Sequence, residues 1–124
     1  INDHIPELPN VTKMQFVEDL NRVYSASRVA IFPMLSGSGL KIKVVEALSF
    51  GLPVVCNPRG IDGLINKTNN GCLVTEDATT FSKYIEQLLT DKSFYQQQQT
   101  LSENFFVNYL SVESVYLELD KVFK

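Results

Sequence analysis

Three short runs of apolar residues, each separated from the next by segments of other character, constrain the fold most strongly. They are Val29–Phe32, Pro53–Cys56 and Cys72–Val74. Runs of three or four apolar residues suit strands that are buried on both faces, as the strands of a parallel sheet are. Strands alternating with helices predict an α/β domain in which helices cover the faces of a parallel sheet.

Helical segments are predicted between and after these strands. Their apolar residues recur at three- and four-residue spacing, which is the period of an amphipathic helix. We predict helices over residues 16–25, 40–50, 81–89, 92–109 and 112–123. Residues 11–14 are a short extended candidate, residues 57–60 are predicted to form a turn, and Thr75-Glu76-Asp77 supplies side chains that start a helix.

Composition allows one packed domain and excludes several other classes. Of 124 residues, 44% are hydrophobic and 20% are charged, which suffices for a core and argues against disorder. No run approaches the roughly 20 apolar residues that a membrane-spanning helix needs. Eleven basic and fourteen acidic residues give a net charge of −3. Because a general nucleic-acid binder needs a basic surface, we expect no nucleic-acid partner.

Cysteine and histidine are too few and too scattered for a metal site. His4, Cys56 and Cys72 are the complete set, and no CxxC pair is present. A single histidine also argues against a Ser-His-Asp or Cys-His apparatus built within this chain. We predict that both cysteines are small buried apolar residues. A disulfide between them is the alternative.

The segment 29–46 has the order of a ligand site in an α/β sheet: a buried strand, a glycine-rich turn and a helix. Ligands of open sheets bind beyond the carboxyl ends of the strands. Backbone amides at Gly37 and Gly39 would approach an anion closely, and the start of the helix would add its positive dipole end. Lys41 and Lys43 would add formal charge beside it.

Helical geometry places a carboxylate on the same side as this anion site. At 100° per residue, Lys43 and Glu46 share a stripe with Gly39 and avoid the stripe formed by the apolar residues. The rise from Gly39 to Glu46 is about 10 Å, so one helix could hold both a phosphate and a ribose. The alternative is a surface ion pair between Lys43 and Glu46, worth about 0.2–0.5 kcal/mol. The P-loop string and the dinucleotide fingerprint are both absent from the sequence.

Five stretches of the chain carry a resemblance to a known family. They are Val29-Ala-Ile-Phe-Pro33, Gly37-Ser-Gly-Leu-Lys-Ile-Lys-Val-Val-Glu-Ala-Leu48, Gly51-Leu-Pro-Val-Val55, Arg59-Gly-Ile-Asp-Gly-Leu64 and Asn70-Gly-Cys-Leu-Val74. Together they resemble the C-terminal, nucleotide-sugar-binding domain of family 4 (group 1) glycosyltransferases of the GT-B fold. The resemblance implies a Rossmann-like parallel sheet of three or four strands flanked by helices. Residues 1–124 would be the latter part of that domain, with 111–124 as a terminal helix.

The resemblance also implies roles for individual residues. Glu46 matches the second glutamate of the family's Glu-x7-Glu motif, which binds the donor ribose. Lys43 and Lys41 match basic positions near the donor diphosphate. Ser38 stands where the motif has its first glutamate. The role that this glutamate has in the family, in sugar positioning or catalysis, therefore does not carry over to this chain. The remaining implied contacts to the donor diphosphate are backbone amides, those of Gly37, Ser38, Gly39 and Leu40.

The implied reaction moves a sugar from a nucleotide-diphosphate donor to an acceptor, with retention at the anomeric carbon. Cationic side chains and amides would neutralise the diphosphate, so we expect no metal and no cofactor. The carbohydrate or lipid-linked acceptor would bind an N-terminal domain that this chain lacks. Because the chain is short for the family and begins at Ile1, we interpret it as a fragment that is inactive alone.

Other functions of the same fold stay open from the sequence. A nucleotide-sugar epimerase would hold the same diphosphate, and a non-catalytic interaction module would keep the fold alone. We expect a cytoplasmic protein, peripheral to the membrane if the full-length protein binds one. The strand Val29–Phe32 would have an unpaired edge, which we expect either Val11–Met14 or a second copy of the chain to cover.

Overall fold

The computed structural model describes residues 8–14, 18–33, 42–64 and 68–110. Its elements, in chain order, are α1 (Leu20–Ala26), β1 (Ala30–Phe32), α2 (Ile42–Ser49), β2 (Val54–Cys56), a 3₁₀-helix (Pro58–Ile61), β3 (Cys72–Val74), α3 (Ala78–Thr90), α4 (Lys92–Phe105) and a π-helical turn (Phe106–Leu110). The strands form one parallel sheet in the order β1-β2-β3. The predicted α/β class is therefore confirmed, with three strands in the described part. The terminal helix expected over 111–124 lies outside the described residues.

One face of the sheet packs against α2. Val44, Ala47 and Leu48 of α2 have no exposed area, which confirms the apolar stripe predicted from their spacing. They form one cluster with residues of β2 and with Phe105 of α4. Each fully buried Val or Leu contributes roughly 1.5–3 kcal/mol of apolar burial, so this cluster fixes the direction of α2. Gly51 lies just beyond the end of α2, with a φ of 71°, and its amide donates to the Leu48 carbonyl at 2.9 Å.

Burial of β1 on both faces, which the apolar run predicts, is wrong. Ile31 is 50% exposed, whereas Val55, its register partner on β2, is fully buried. Helix α3 packs against β2 but leaves Ile31 of β1 exposed. β1 is thus a strand at the end of the described sheet, with one exposed face and one partly buried face.

Two local predictions before the sheet are also corrected. The helix predicted from residue 16 begins at Leu20, because the Asp19 carboxylate accepts a hydrogen bond from the Arg22 amide at 3.2 Å and caps the helix there. Residues 11–14 form no strand beside β1, and Val11 and Met14 are each about half exposed. They therefore do not extend the described sheet beyond β1. The turn predicted at 57–60 is a single turn of 3₁₀-helix.

Helix α4 closes the amino-end edge of the sheet, touching the residues that lead into all three strands. The Ser102 hydroxyl donates to the Leu52 carbonyl at 2.9 Å, just before β2. The Tyr95 hydroxyl donates to the Arg28 carbonyl at 2.8 Å, just before β1. Ser102 also lies against Gly71, just before β3. The opposite, carboxyl-end edge is the one that remains for a ligand.

The two cysteines are free thiols on adjacent strands. Cys56 is buried as predicted, whereas Cys72 is only partly so. Cys56 pairs in register with Val74, so Cys72 is two residues away along the neighbouring strand. Strand spacing and rise place the two Cα atoms roughly 8 Å apart, beyond the ~7 Å that a disulfide spans. The hydrogen bond between the thiols, together with burial, raises the pKa of Cys72.

Candidate functional site

A cavity of about 330 Å³ lies at the carboxyl-end edge of the sheet. It collects the residues that directly follow β1, β2 and β3, which are Pro33, Asn57 and Thr75. The first residues of α3 form another wall, and the described lining is Pro33, Asn57, Thr75, Glu76, Asp77, Ala78, Phe81 and Ser82. This is the position at which parallel α/β sheets bind their ligands.

The start of α3 shapes one wall of this cavity. Asp77 is the N-cap of α3, as the Thr75-Glu76-Asp77 pattern predicts, and its carboxylate accepts from the Thr80 amide at 2.9 Å. The same carboxylate accepts from the Thr80 hydroxyl at 2.7 Å. These two bonds, the hydroxyl's first, lower the pKa of Asp77. Because Glu76 and Asp77 make the described lining acidic, it suits neutral hydrogen-bonding groups better than a phosphate.

Glu46 occupies the fifth position of α2 and is partly buried. The Tyr24 hydroxyl of α1 donates to its Oε2 atom at 3.1 Å. The Tyr24 ring stacks on Phe50, with centroids 5.1 Å apart and planes 13° from parallel. Burial raises the pKa of Tyr24, and the hydrogen bond to Glu46 and its negative charge raise it further. Among the described residues, the carboxylate is thus bonded by Tyr24 on another helix and not by Lys43.

Parallel topology relates Glu46 to the cavity. A helix that follows a parallel strand runs back antiparallel to it, so α2 begins at the carboxyl-end edge. Glu46 lies about 6 Å along the axis from the first residue of α2. Lys43 is exposed one turn before it and nearer that edge. The described lining of the cavity includes neither residue.

The other predicted contacts to the donor fall outside the described residues. They are Gly37, Ser38, Gly39, Leu40 and Lys41. Of the predicted site, the structure therefore describes Lys43 and Glu46 alone. Sequence reasoning missed Tyr24 as a partner of Glu46, since its position in an apolar stripe indicated a core residue and nothing marked where its hydroxyl would point.

A wider groove of about 620 Å³ lies at the other end of the sheet. It is lined by Asn69, in the loop before β3, and by five residues of α4, which are Gln96, Gln97, Gln98, Thr100 and Leu101. Gln96 and Gln97 are exposed, whereas Gln98 and Gln99 are partly buried. Since the groove faces the amino-end edge, it does not belong to the site around Glu46.

The family model of the glycosyl transferases group 1 matches residues 2–91, well over half of the chain. The chain belongs to the group 1 glycosyltransferases. The match confirms the resemblance that the sequence shows and gives the chain a role in sugar transfer. It spans α1 to α3 and stops before α4, so the helix that closes the amino-end edge lies beyond the matched part. Neither the curated proteins nor the solved structures contain a significant match to the chain.

Two absences concern the part of the chain that the structure describes. None of its helices there is long and apolar enough to cross a bilayer. No three His, Cys, Asp or Glu side chains in that part are grouped as a metal site would require.

Proposed function

We propose that this glycosyltransferase domain binds the nucleotide-diphosphate sugar from which a sugar is transferred with retention of configuration. The observation that carries the proposal is the placement of Glu46. Glu46 is partly buried and lies one turn after the first residue of α2, the helix that starts at the carboxyl-end edge of the sheet. A carboxylate accepting two hydrogen bonds from neighbouring hydroxyls is a common means of holding a ribose.

The donor diphosphate would lie at the start of α2. Amides of residues 37–40 and the positive helix end would face it, with Lys41 and Lys43 supplying charge. Lys43 is exposed, so its ammonium is accessible to an anion. When the glycosidic bond to the diphosphate breaks, the leaving group gains negative charge, and fixed cations and amides stabilise that charge in the transition state. On this proposal no divalent ion is needed.

The cavity beside α3 would accommodate a neutral part of the donor or of the acceptor. Its described lining offers hydroxyl, amide and carboxylate groups beside the aromatic ring of Phe81. Hydroxyl-rich molecules form hydrogen bonds with such groups, whereas its two carboxylates repel phosphate. A carbohydrate or lipid-linked acceptor would approach through a further domain, and this chain alone is expected to transfer no sugar.

Titration of the purified chain tests the proposal, with UDP and GDP as nucleotides and inorganic diphosphate as the ribose-free probe. Glu46→Ala should weaken nucleotide binding roughly tenfold or more, since a hydrogen bond to a charged group contributes about 1.5–3 kcal/mol. Diphosphate binding should change less than about twofold, because the charges at the start of α2 remain. The matched control is Glu86→Ala, which removes an exposed carboxylate from α3.

Two results would contradict this assignment. If Glu46→Ala weakened nucleotide and diphosphate binding equally, Glu46 would not act on the ribose. If the unaltered chain bound neither UDP nor GDP, the domain would not be a donor site for those nucleotides, and an interaction module would become the better interpretation.

A further inference from the structure

We propose that Tyr24 is a positioning residue for the donor site, holding the Glu46 carboxylate in the orientation that grips the ribose. This inference rests on the proposed function of Glu46 and extends it to a residue on a different helix. The contact that carries it is the bond from the Tyr24 hydroxyl to Glu46 Oε2 at 3.1 Å.

Two contacts restrain the Tyr24 side chain, one to its ring and one to its hydroxyl. Its ring lies flat on Phe50, the residue that directly follows α2, and its hydroxyl reaches Glu46 in the middle of α2. A tyrosine has only two side-chain torsions, and stacking on Phe50 restricts both of them. The donor of the hydrogen bond is therefore held in place before any ligand arrives.

The bond leaves the carboxylate able to bind a ligand. A carboxylate offers about four lone-pair sites over its two oxygens, and the Tyr24 hydroxyl occupies one site on Oε2. The remaining sites, including those of Oε1, can accept from two neighbouring ribose hydroxyls. A glutamate has three side-chain torsions, and ordering such a side chain on binding has an entropic cost. Tyr24 lowers that cost at the moment of binding, because Glu46 is already oriented.

A purely structural bond between α1 and α2 is the competing explanation, and Tyr24→Phe separates the two. The variant keeps the ring on Phe50 and removes the hydroxyl alone. We expect the Kd for UDP or GDP to rise about three- to tenfold, since a hydrogen bond contributes about 1 kcal/mol and one to a charged group more. The Kd for inorganic diphosphate should stay within about twofold of its original value.

Tyr95→Phe is the matched control. It also removes one tyrosine hydroxyl that bonds a distant segment of the chain, here the Arg28 carbonyl at the amino-end edge. It should leave nucleotide binding unchanged. If Tyr24→Phe and Tyr95→Phe affected nucleotide binding equally, or if Tyr24→Phe weakened diphosphate and nucleotide binding alike, the positioning role would be overturned.

A double-mutant cycle ties the effect to Glu46. In the Glu46→Ala background there is no carboxylate to orient, so adding Tyr24→Phe should change the Kd for nucleotide by less than about twofold. Additive effects would overturn the inference. If Glu46→Ala raised the Kd for nucleotide but not for diphosphate, while Tyr24→Phe did not, the inference would fail and the proposed function would stand. If the unaltered chain bound no nucleotide, both would fail.

Discussion

Ser102 of α4 lies directly against Gly71, the residue that leads into β3. A Cβ atom built on Gly71 would collide with the Ser102 hydroxyl and would lie 2.7 Å from the Ser102 Cα. Gly71 also has a φ of 84°, a conformation that residues with a side chain rarely adopt. The Ser102 hydroxyl meanwhile donates to the Leu52 carbonyl at 2.9 Å. This one serine therefore joins α4 to the entrances of two adjacent strands.

The contact predicts that Gly71→Ala is strongly destabilising. Left-handed backbone costs an alanine about 1–2 kcal/mol, and forcing an extra methyl group into packed structure costs about 1–3 kcal/mol more. We expect the free energy of unfolding to fall by about 2–5 kcal/mol, measured by urea denaturation.

Gly51→Ala provides the comparison. Gly51 has a similar φ of 71°, but its added Cβ would meet the Glu103 side chain, at 2.9 Å. Glu103 is exposed and can move, so the backbone cost remains and most of the steric cost does not. Gly51→Ala should therefore be milder by at least about 1 kcal/mol. Equal losses in the two variants would show that the Ser102 contact does not constrain Gly71.

Ser102→Ala tests the other half of this contact. The hydroxyl bonds a buried carbonyl, and removing a buried hydrogen-bond partner costs about 1–3 kcal/mol. Ser93→Ala changes an exposed serine on the same helix and should alter the free energy of unfolding by less than about 0.5 kcal/mol. Urea denaturation of both variants measures the difference. Indistinguishable midpoints would contradict the assigned role of the Ser102 bond.

The sheet and its helices could be predicted because the relevant forces are local. Val54 and Val55 are fully buried, as a short apolar run bounded by glycine and proline indicates. Asp77 caps α3 because a carboxylate at that position bonds amides of the helix's own first turn. Such features depend on residues only a few positions apart.

Contacts between distant elements could not be predicted from the sequence. Tyr24 and Glu46 are 22 residues apart, and Ser102 and Leu52 are 50 apart. Periodicity identifies which face of a helix is buried, but it does not say which hydroxyl meets which acceptor across the core. The prediction that Ile31 is buried was wrong for a related reason, because an apolar run does not reveal how far the helix over that face extends. For the candidate site, the ribose role of Glu46 stays a prediction from the sequence, which did not reveal that the Tyr24 hydroxyl bonds its carboxylate.

Alkaline pH should remove the stability that is linked to the raised pKa of Tyr24. Burial, followed by the bond to Glu46 and its charge, raises the pKa of Tyr24 above its ordinary value near 10. A raised pKa in the folded state contributes stability that is complete below the unfolded value and is lost as pH rises through the folded value. Between pH 9 and 11.5, the unaltered chain should therefore lose more stability than Tyr24→Phe does. Parallel urea midpoints over that range would contradict the assignment.

Acidic pH should remove the stability that the Asp77 cap gives to α3. The Thr80 hydroxyl and then the Thr80 amide bond Asp77 and lower its pKa, so its contribution is complete above the unfolded value near 3.9. That contribution is lost as pH falls through the folded value. Asp77→Asn keeps an acceptor at the cap but cannot titrate, so its urea midpoint should converge with that of the unaltered chain between pH 5 and 2. Thr80→Ala removes the hydroxyl donor and should shrink the acid-dependent difference. A difference that stayed constant with pH would show that Asp77 is not held as a carboxylate by Thr80.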